Sequence, residues 1–529
     1  MPGKIATRTY ADVRAALLER REITLLDVRE EDPHAQAHPL FAANFPLGRI
    51  ELDAYAKLPR RDVPIVVLVD GEGLAETSAA RLAALGYTDV AVLAGGVNGW
   101  REAGGELFRD VNVPSKAFGE LVEAERHTPS LAAEEVRALL DCNADVVIVD
   151  ARRFDEYHTM SIPTATSVPG AELVLRIAEL APDPATQVIV NCAGRTRSII
   201  GTQSLVNAGI PNPVAALRNG TIGWTLAGLA LERGQKRRFG EVSEPTRARA
   251  AHAARAVAER AGVQRATLAD VDRWRSQQGR STYFFDVRTP EEYESGHLPG
   301  FRPVAGGQLV QETEMVAPVR GARIVLVDND GVRANMTASW LAQMGWDVHV
   351  IDDVPAVDFC EQGPWRAPLP SLPRIRRILP ETLARWQVAG EDVAVLDFSP
   401  SAQYRKGHIP GAYFVLRSQL ADALQVLPRH QHYIVTCDDG LLASFTAPEL
   451  DALVEADVWL LDGGNRAWSA AALPLESGET RLASPPIDRY RRPYEGPDNP
   501  REAMQGYLDW EFGLVAQLAR DGTHDFRVI

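Results

Sequence analysis

Cys192 stands where the apolar run Val188-Ile189-Val190-Asn191 gives way to Ala193-Gly194-Arg195-Thr196-Arg197-Ser198 and then to a helical run over 199–205. This order predicts a strand, a thiol at its end, a tight turn carrying two arginines, and a helix. A thiol under the N–H groups of a turn and the positive end of a helix is expected to ionise easily. It would then serve as a nucleophile and a carrier of transferable groups. N–H groups from Ala193 to Ser198, pointing inward, would hold an anion. Arg195 and Arg197 add charge that favours the thiolate and attracts an anionic substrate. Thr196 and Ser198 offer further hydrogen bonds, and Gly194 permits a turn that a Cβ would penalise.

The elements that must position this loop recur along the chain. A buried-looking strand ends in Asp at Asp27, Asp150, Asp286 and Asp397. A second strand follows, ending at Asp70, Cys192, Asp328 and Cys437, at separations of 43, 42, 42 and 40 residues. Three of the units then reach a Gly/Asn turn leading to Trp100, Trp224 or Trp468; the third has Ile351-Asp352-Asp353 there instead. Short amphipathic helices open each unit, as at Tyr10–Val13 and Leu268–Val271. Strands rich in Val, Ile and Leu alternate with helical segments such as 78–85 and 334–344. The pattern predicts an α/β protein of four tandem units, each a mainly parallel sheet flanked by helices, with working loops at the carboxyl ends of strands.

Composition bounds the rest. The 529 residues carry a net charge of −15, which argues against a nucleic-acid partner. Lys236-Arg237-Arg238 reads as a solvated segment between units. No apolar run is long enough to span a membrane, and Met1-Pro2-Gly3-Lys4 lacks a signal-peptide core, so a cytoplasmic protein is expected. The four cysteines, Cys142, Cys192, Cys360 and Cys437, form neither a disulfide framework nor a CxxC zinc site, so no metal and no cofactor is expected. Cys142 and Cys360 read as ordinary small hydrophobes. Residues 243–262 read as a helical connector and 484–500 as a proline-rich strap. Residues 501–520 read as one amphipathic helix docking on the body, the alternative being a membrane or partner.

These residues resemble the rhodanese (sulfurtransferase) family. The marks are Asp-x-Arg followed by Glu-Tyr (Asp150, Arg152, Glu156, Tyr157; again Asp286, Arg288, Glu292, Tyr293), the Gly-His-Ile-Pro-Gly-Ala segment 407–412 with its partial copy 296–300, and the Cys-headed loop with Arg. The resemblance covers about nine-tenths of the chain as four rhodanese-like units: 1–112 with the cysteine replaced by Asp70, 125–238 with Cys192, 262–370 with Asp328 in its place, and 374–480 with Cys437. Residues 481–529 form the strap and C-terminal helix.

The resemblance implies transfer of a sulfane sulfur through a persulfide on Cys192, from a small anionic donor such as thiosulfate to cyanide or a thiol. Ala193, Gly194, Arg195, Thr196, Arg197 and Ser198 would bind the substrate. Two other readings stand beside it: a relay or scaffold fed by a partner protein's persulfide, and a cysteine phosphatase or arsenate reductase. Only four residues separate Cys192 from Arg197, a loop shorter than a phosphate cradle, which favours sulfur. Cys437 keeps the thiol but has Asp438 and Asp439 beside it and Leu442 where the arginine would be. It is expected to be vestigial, or a possible secondary site. Arg152 is expected to form a scaffold ion pair, Trp224 to be core, and His158 and His408 to be structural.

Overall fold

The computed structural model describes residues 5–70 and 73–529. Gly71 and Glu72 of the first loop, and the Met1–Lys4 start, lie outside the described residues. Each unit folds around its own sheet. In unit two the strands run Ser130–Leu131, Val214–Leu217, Gln187–Asn191, Val146–Asp150, Thr166–Ser167 across the sheet, all parallel. Units three and four repeat this order. Fully buried strands such as Ile65–Leu68 and Arg323–Val327 explain the unbroken apolar runs, since helices cover both faces of a parallel sheet. From Val146–Asp150 the chain moves outward to Thr166–Ser167, then returns on the other side to Gln187–Asn191. The loops after the two central strands therefore diverge at a topological switch point, where a ligand crevice is expected. Cys192 lies in one of them and Arg152 in the other.

Strand register corrects one sequence expectation. Asp150 pairs with Asn191, Asp286 with Val327 and Asp397 with Thr436, so the residue just beyond the second strand is Cys192, Asp328 or Cys437. In unit one Asp27 pairs with Leu68, which puts Val69 at that position, and Asp70 follows one residue later. The 43-residue spacing, one more than in units two and three, reflects this offset. Asp70 instead accepts from Arg29 Nη1 at 2.7 Å.

The ends of the central strands are held by one repeated device. Arg29, Arg152 and Arg288 each fork onto the aspartate two residues earlier and donate to a carbonyl eight residues later, at Ala37, Met160 and Gly296. In unit four Ser399 takes the arginine's place. Asp397 is satisfied there by the Ser399 N–H and by Asn465 Nδ2.

Segments between the units complete the molecule. The connector helix Glu244–Arg260 buries Ala250, Ala254 and Val257 with unit-two residues and with Val332 and Met336 of unit three. A strand from unit three, Val319–Arg320, adds antiparallel to the unit-one strand Ile23–Asp27, so these two units share a sheet edge. The helix Val113–Arg126 lies between units one and two. Its Val113–Glu120 run is buried, including Lys116 and Glu120. The expected single helix over 501–520 is two, Arg501–Phe512 and Leu514–Asp521, interrupted at Gly513. The break lets the two serve different units: Leu514 and Leu518 pack on Leu40, Phe41 and Phe108 of unit one, while Met504, Tyr507 and Leu508 pack on Ile222 of unit two.

Removing one partner of a buried ion pair leaves an uncompensated charge. Arg152→Ala is therefore expected to cost about 3–5 kcal/mol of stability, read by chemical denaturation. Arg137→Ala, which breaks the exposed Arg137–Asp141 pair, should cost less than about 1 kcal/mol.

Candidate active site at the Cys192 loop

Two anchors fix the loop. The Thr221 and Ile222 N–H groups, in the first turn of the helix Gly220–Leu226, donate to the Cys192 and Ala193 carbonyls at 2.9 and 3.0 Å. Gly220 has φ +52°, and a Cβ there would clash with the Cys192 carbonyl, so the Gly/Asn turn is a steric requirement of the loop. Gly464 makes the same approach to Cys437. The Cys192 thiol is buried and donates to Ser198 Oγ at 3.3 Å, and the Ser198 hydroxyl in turn donates to the Arg195 carbonyl at 2.8 Å.

Burial decides the ionisation of this thiol. It pushes Cys192 above the ordinary thiol value, against the pull of the Arg197 charge and of the hydrogen bonds it shares with the Ser198 hydroxyl and N–H. The expectation of an easily ionised resting thiol is thus corrected. The microenvironment is cationic, but dehydration outweighs it.

Of the two arginines, only Arg197 acts on the thiol. It forks onto Glu156 at 2.7 and 2.9 Å, which holds Glu156 down at about 2. Arg195 is directed elsewhere, correcting the expectation that it supports the thiolate. It donates to Glu120 at 2.7 and 2.9 Å, to Glu123, and to Asn219 Oδ1, and its guanidinium lies 4.3 Å from the centre of the Phe512 ring. With two carboxylates on it, its charge is cancelled locally. Thr196 faces Gly119 of the helix Val113–Arg126, and its buried Oγ1 has no partner among the described residues. The Ala193 carbonyl accepts from Thr221, and Gly194 faces Tyr507 and Glu511 of the C-terminal helix.

Glu156 was visible in the sequence only as a family mark. The signal for its role is the 41-residue interval to Arg197, which recurs between Glu292 and Arg333 in unit three, where the same fork forms. Glu120, Glu123, Tyr507 and Glu511 carried no local signal, because they reach the loop from elements distant in the chain.

The sister loops show what the geometry holds. In unit three the Asp328 carboxylate enters the loop and accepts from the Ala334 N–H at 2.7 Å, from Gly331 at 2.9 Å and from Asp330 at 3.3 Å. Burial and the Asp330 carboxylate push Asp328 up against that pull. In unit four the N–H groups of Gly440, Leu442 and Ala443 point at Cys437, yet burial and Asp439 drive this thiol up to about 11. Cys142 and Cys360 are exposed rather than packed as small hydrophobes. Arg152, Trp224, His158 and His408 are bound into the scaffold through Asp150 and the carbonyls of Ala230, Gln235 and Tyr404. Among the described residues no helix is long and apolar enough to cross a membrane.

A family model for the rhodanese-like domain matches residues 10–103, 132–227, 267–353 and 379–471. The chain belongs to the rhodanese-like family. Over 99% of its length it is 70% identical, at a TM-score of 0.98, to the whole of a crystallised thiosulfate sulfurtransferase from Pseudomonas aeruginosa. Thiosulfate sulfurtransferase GlpE of Pseudoalteromonas translucida is 32% identical over 81 residues, 15% of this chain and 77% of that protein. The matched rhodanese-like segments exclude the helices Val113–Arg126 and Arg501–Phe512. The carboxylates around Arg195 and Gly194 are therefore additions to the rhodanese-like unit.

The unequal roles of the two arginines can be measured through the pH dependence of Cys192 alkylation. Arg197→Ala should move the thiol's midpoint further up. Arg195→Ala should move it up by less, and should lower stability by leaving Glu120 and Glu123 without their cation.

Proposed function

We propose that this rhodanese-like protein is a sulfurtransferase that moves a sulfane sulfur from thiosulfate, or a donor of that class, through a persulfide on Cys192. One observation carries the assignment to this loop: of the four loops, it alone combines a thiol at the strand end with an arginine five residues on. Unit one has Val69 and Leu74 at these positions, unit three Asp328 and Arg333, and unit four Cys437 and Leu442.

In the first half-reaction the Cys192 sulfur attacks the outer sulfur of the donor. The bond between that sulfur and the sulfonate breaks and its electron pair leaves with sulfite. The thiol proton, retained at rest by burial, departs with it as hydrogen sulfite, leaving Cys192–S–S⁻. Arg197, tethered but still charged, balances the negative charge that appears at the sulfur. The Ser198 N–H supplies a hydrogen bond to it, and the Ser198 hydroxyl, which accepts from the resting thiol, turns from the Arg195 carbonyl to donate once the thiol proton has left. In the second half-reaction a thiolate or cyanide attacks the terminal sulfur, and the electron pair returns to Cys192. The loop of unit three supports this reading at one position: the Ala334 N–H, six residues past the strand-end residue as Ser198 is in unit two, donates to the Asp328 carboxylate.

Mass spectrometry after exposure to thiosulfate should show the mass of one sulfur atom on Cys192 and none on Cys437, and Cys192→Ser should abolish thiocyanate formation. Loading from a protein persulfide but not from thiosulfate would establish the relay role instead, and full activity of Cys192→Ser would overturn the assignment.

A further inference from the structure

The C-terminal helix Arg501–Phe512 lies against the Cys192 loop. Met504, Tyr507 and Leu508 are buried with Ile222, Leu226 packs at the edge, and Arg501 donates to the Thr225 and Leu226 carbonyls. At Gly194, two residues from the thiol, a Cβ would lie 3.1 Å from Tyr507 Cε1 and 3.4 Å from Glu511 Oε2. An alanine at this position would press on the Tyr507 ring, so the loop and the helix meet here in close contact.

Glu511 is fully buried. Its Oε1 accepts from the Tyr507 hydroxyl at 2.7 Å, while Oε2 has no partner among the described residues. The groups facing it are Glu120 and Lys116 from the helix Val113–Arg126, Arg195 and Cys192 from the loop, and Tyr507 from its own helix. Tyr494 of the strap lies behind Tyr507. The cations there are already engaged: Lys116 with Asp110, and Arg195 with Glu120 and Glu123. An ionised carboxylate would thus sit dehydrated, without a hydrogen bond to one oxygen, beside a second carboxylate.

We propose that the helix Arg501–Phe512 is a lid over the Cys192 site and that Glu511 is its latch, closed with the carboxyl protonated and released when it ionises. Glu511 is then a positioning residue that controls access to the thiol. The proposal rests on Cys192 being the reacting thiol.

Burial and Glu120 raise Glu511 to about 8 in the closed form. A carboxyl raised on closing favours the closed form fully only below its ordinary value near 4.5. Closure weakens as pH climbs from there and levels off above about 8. The lid is therefore shut in acid and loosened at neutral and mildly alkaline pH.

The test is the rate of Cys192 alkylation by iodoacetamide, a neutral probe, in the full-length chain with and without Glu511→Gln. Glutamine keeps the shape and the acceptor for Tyr507 but cannot ionise. The wild-type to variant rate ratio cancels the thiol's own titration except for the Glu511 charge, which raises the thiol and so slows the wild type. It should be near one at pH 5 and at least tenfold at pH 8, and amide hydrogen exchange over 501–512 should be faster in the wild type at pH 8 only. A ratio that stays flat, or falls below one because loss of a nearby negative charge merely eases thiol ionisation, overturns the latch.

Leu508→Ala, which loosens the lid's apolar seat without touching the latch, should speed alkylation at least threefold at pH 5. No change there would show that the helix does not gate the thiol. Alkylation requires no sulfur transfer, so a chain that shows this pattern but never loads sulfur from any donor retains the lid and loses the proposed function.

Discussion

The buried aspartate at the end of the central strand, forked by an arginine in units one to three, is the anchor on which the rest of each unit depends. Asp150 sits at the carboxyl edge of the sheet with no exposure, and Arg152 fills the space beside it while reaching to Met160. Asn191, the residue before Cys192, donates to the same carboxylate at 2.9 Å. The fork thus ties three segments to one point: the central strand, the chain that follows it, and the strand that delivers the thiol. A charge-assisted network of this kind holds only while every member is present. Unit four, without the arginine, answers the same demand with Ser399 and Asn465.

Charge at the site is governed by pairing rather than by count. Two arginines in the loop suggest a strongly cationic cradle, yet each is bound to carboxylates from elsewhere. Arg197 still pulls on the thiol while Arg195 is turned to Glu120 and Glu123, so the charge that acts at the sulfur is that of a tethered guanidinium. Against it stands burial, which keeps the resting thiol protonated. An environment that disfavours a lone thiolate also disfavours its premature side reactions.

The four units hold their backbone while their loops diverge. Gly220 and Gly464 approach the carbonyl of the strand-end residue, and Gly96 approaches that of Val69 at the same position in unit one. Unit three keeps the Arg333–Glu292 fork but fills the turn with its own Asp328. The units without a thiol still contribute structurally. Unit three lends a strand to unit one, and Arg333 reaches Glu172 of unit two. Neither contact needs a thiol, because the Val319–Arg320 strand and the Arg333–Glu172 pair do not use the strand-end side chain.

Most of the local architecture was legible in the chain itself. The fourfold repeat, the strand ends, the turn glycines and the singular Cys192–Arg197 pairing follow from periodic apolar runs and from residue types that only certain backbone geometries accept. What only the tertiary structure decided lies between distant segments. The Val69 register needed strand pairing, since a one-residue offset is invisible in an apolar run. The turning of Arg195 toward Glu120 and Glu123 needed the interposed helix Val113–Arg126. The seating of Tyr507 and Glu511 on Gly194, more than three hundred residues away, needed the whole fold. Ionisation and access depend on what surrounds a group in space. Sequence order constrains that only within a few residues, so the thiol's identity was readable from the chain while its dehydration and its cover were not.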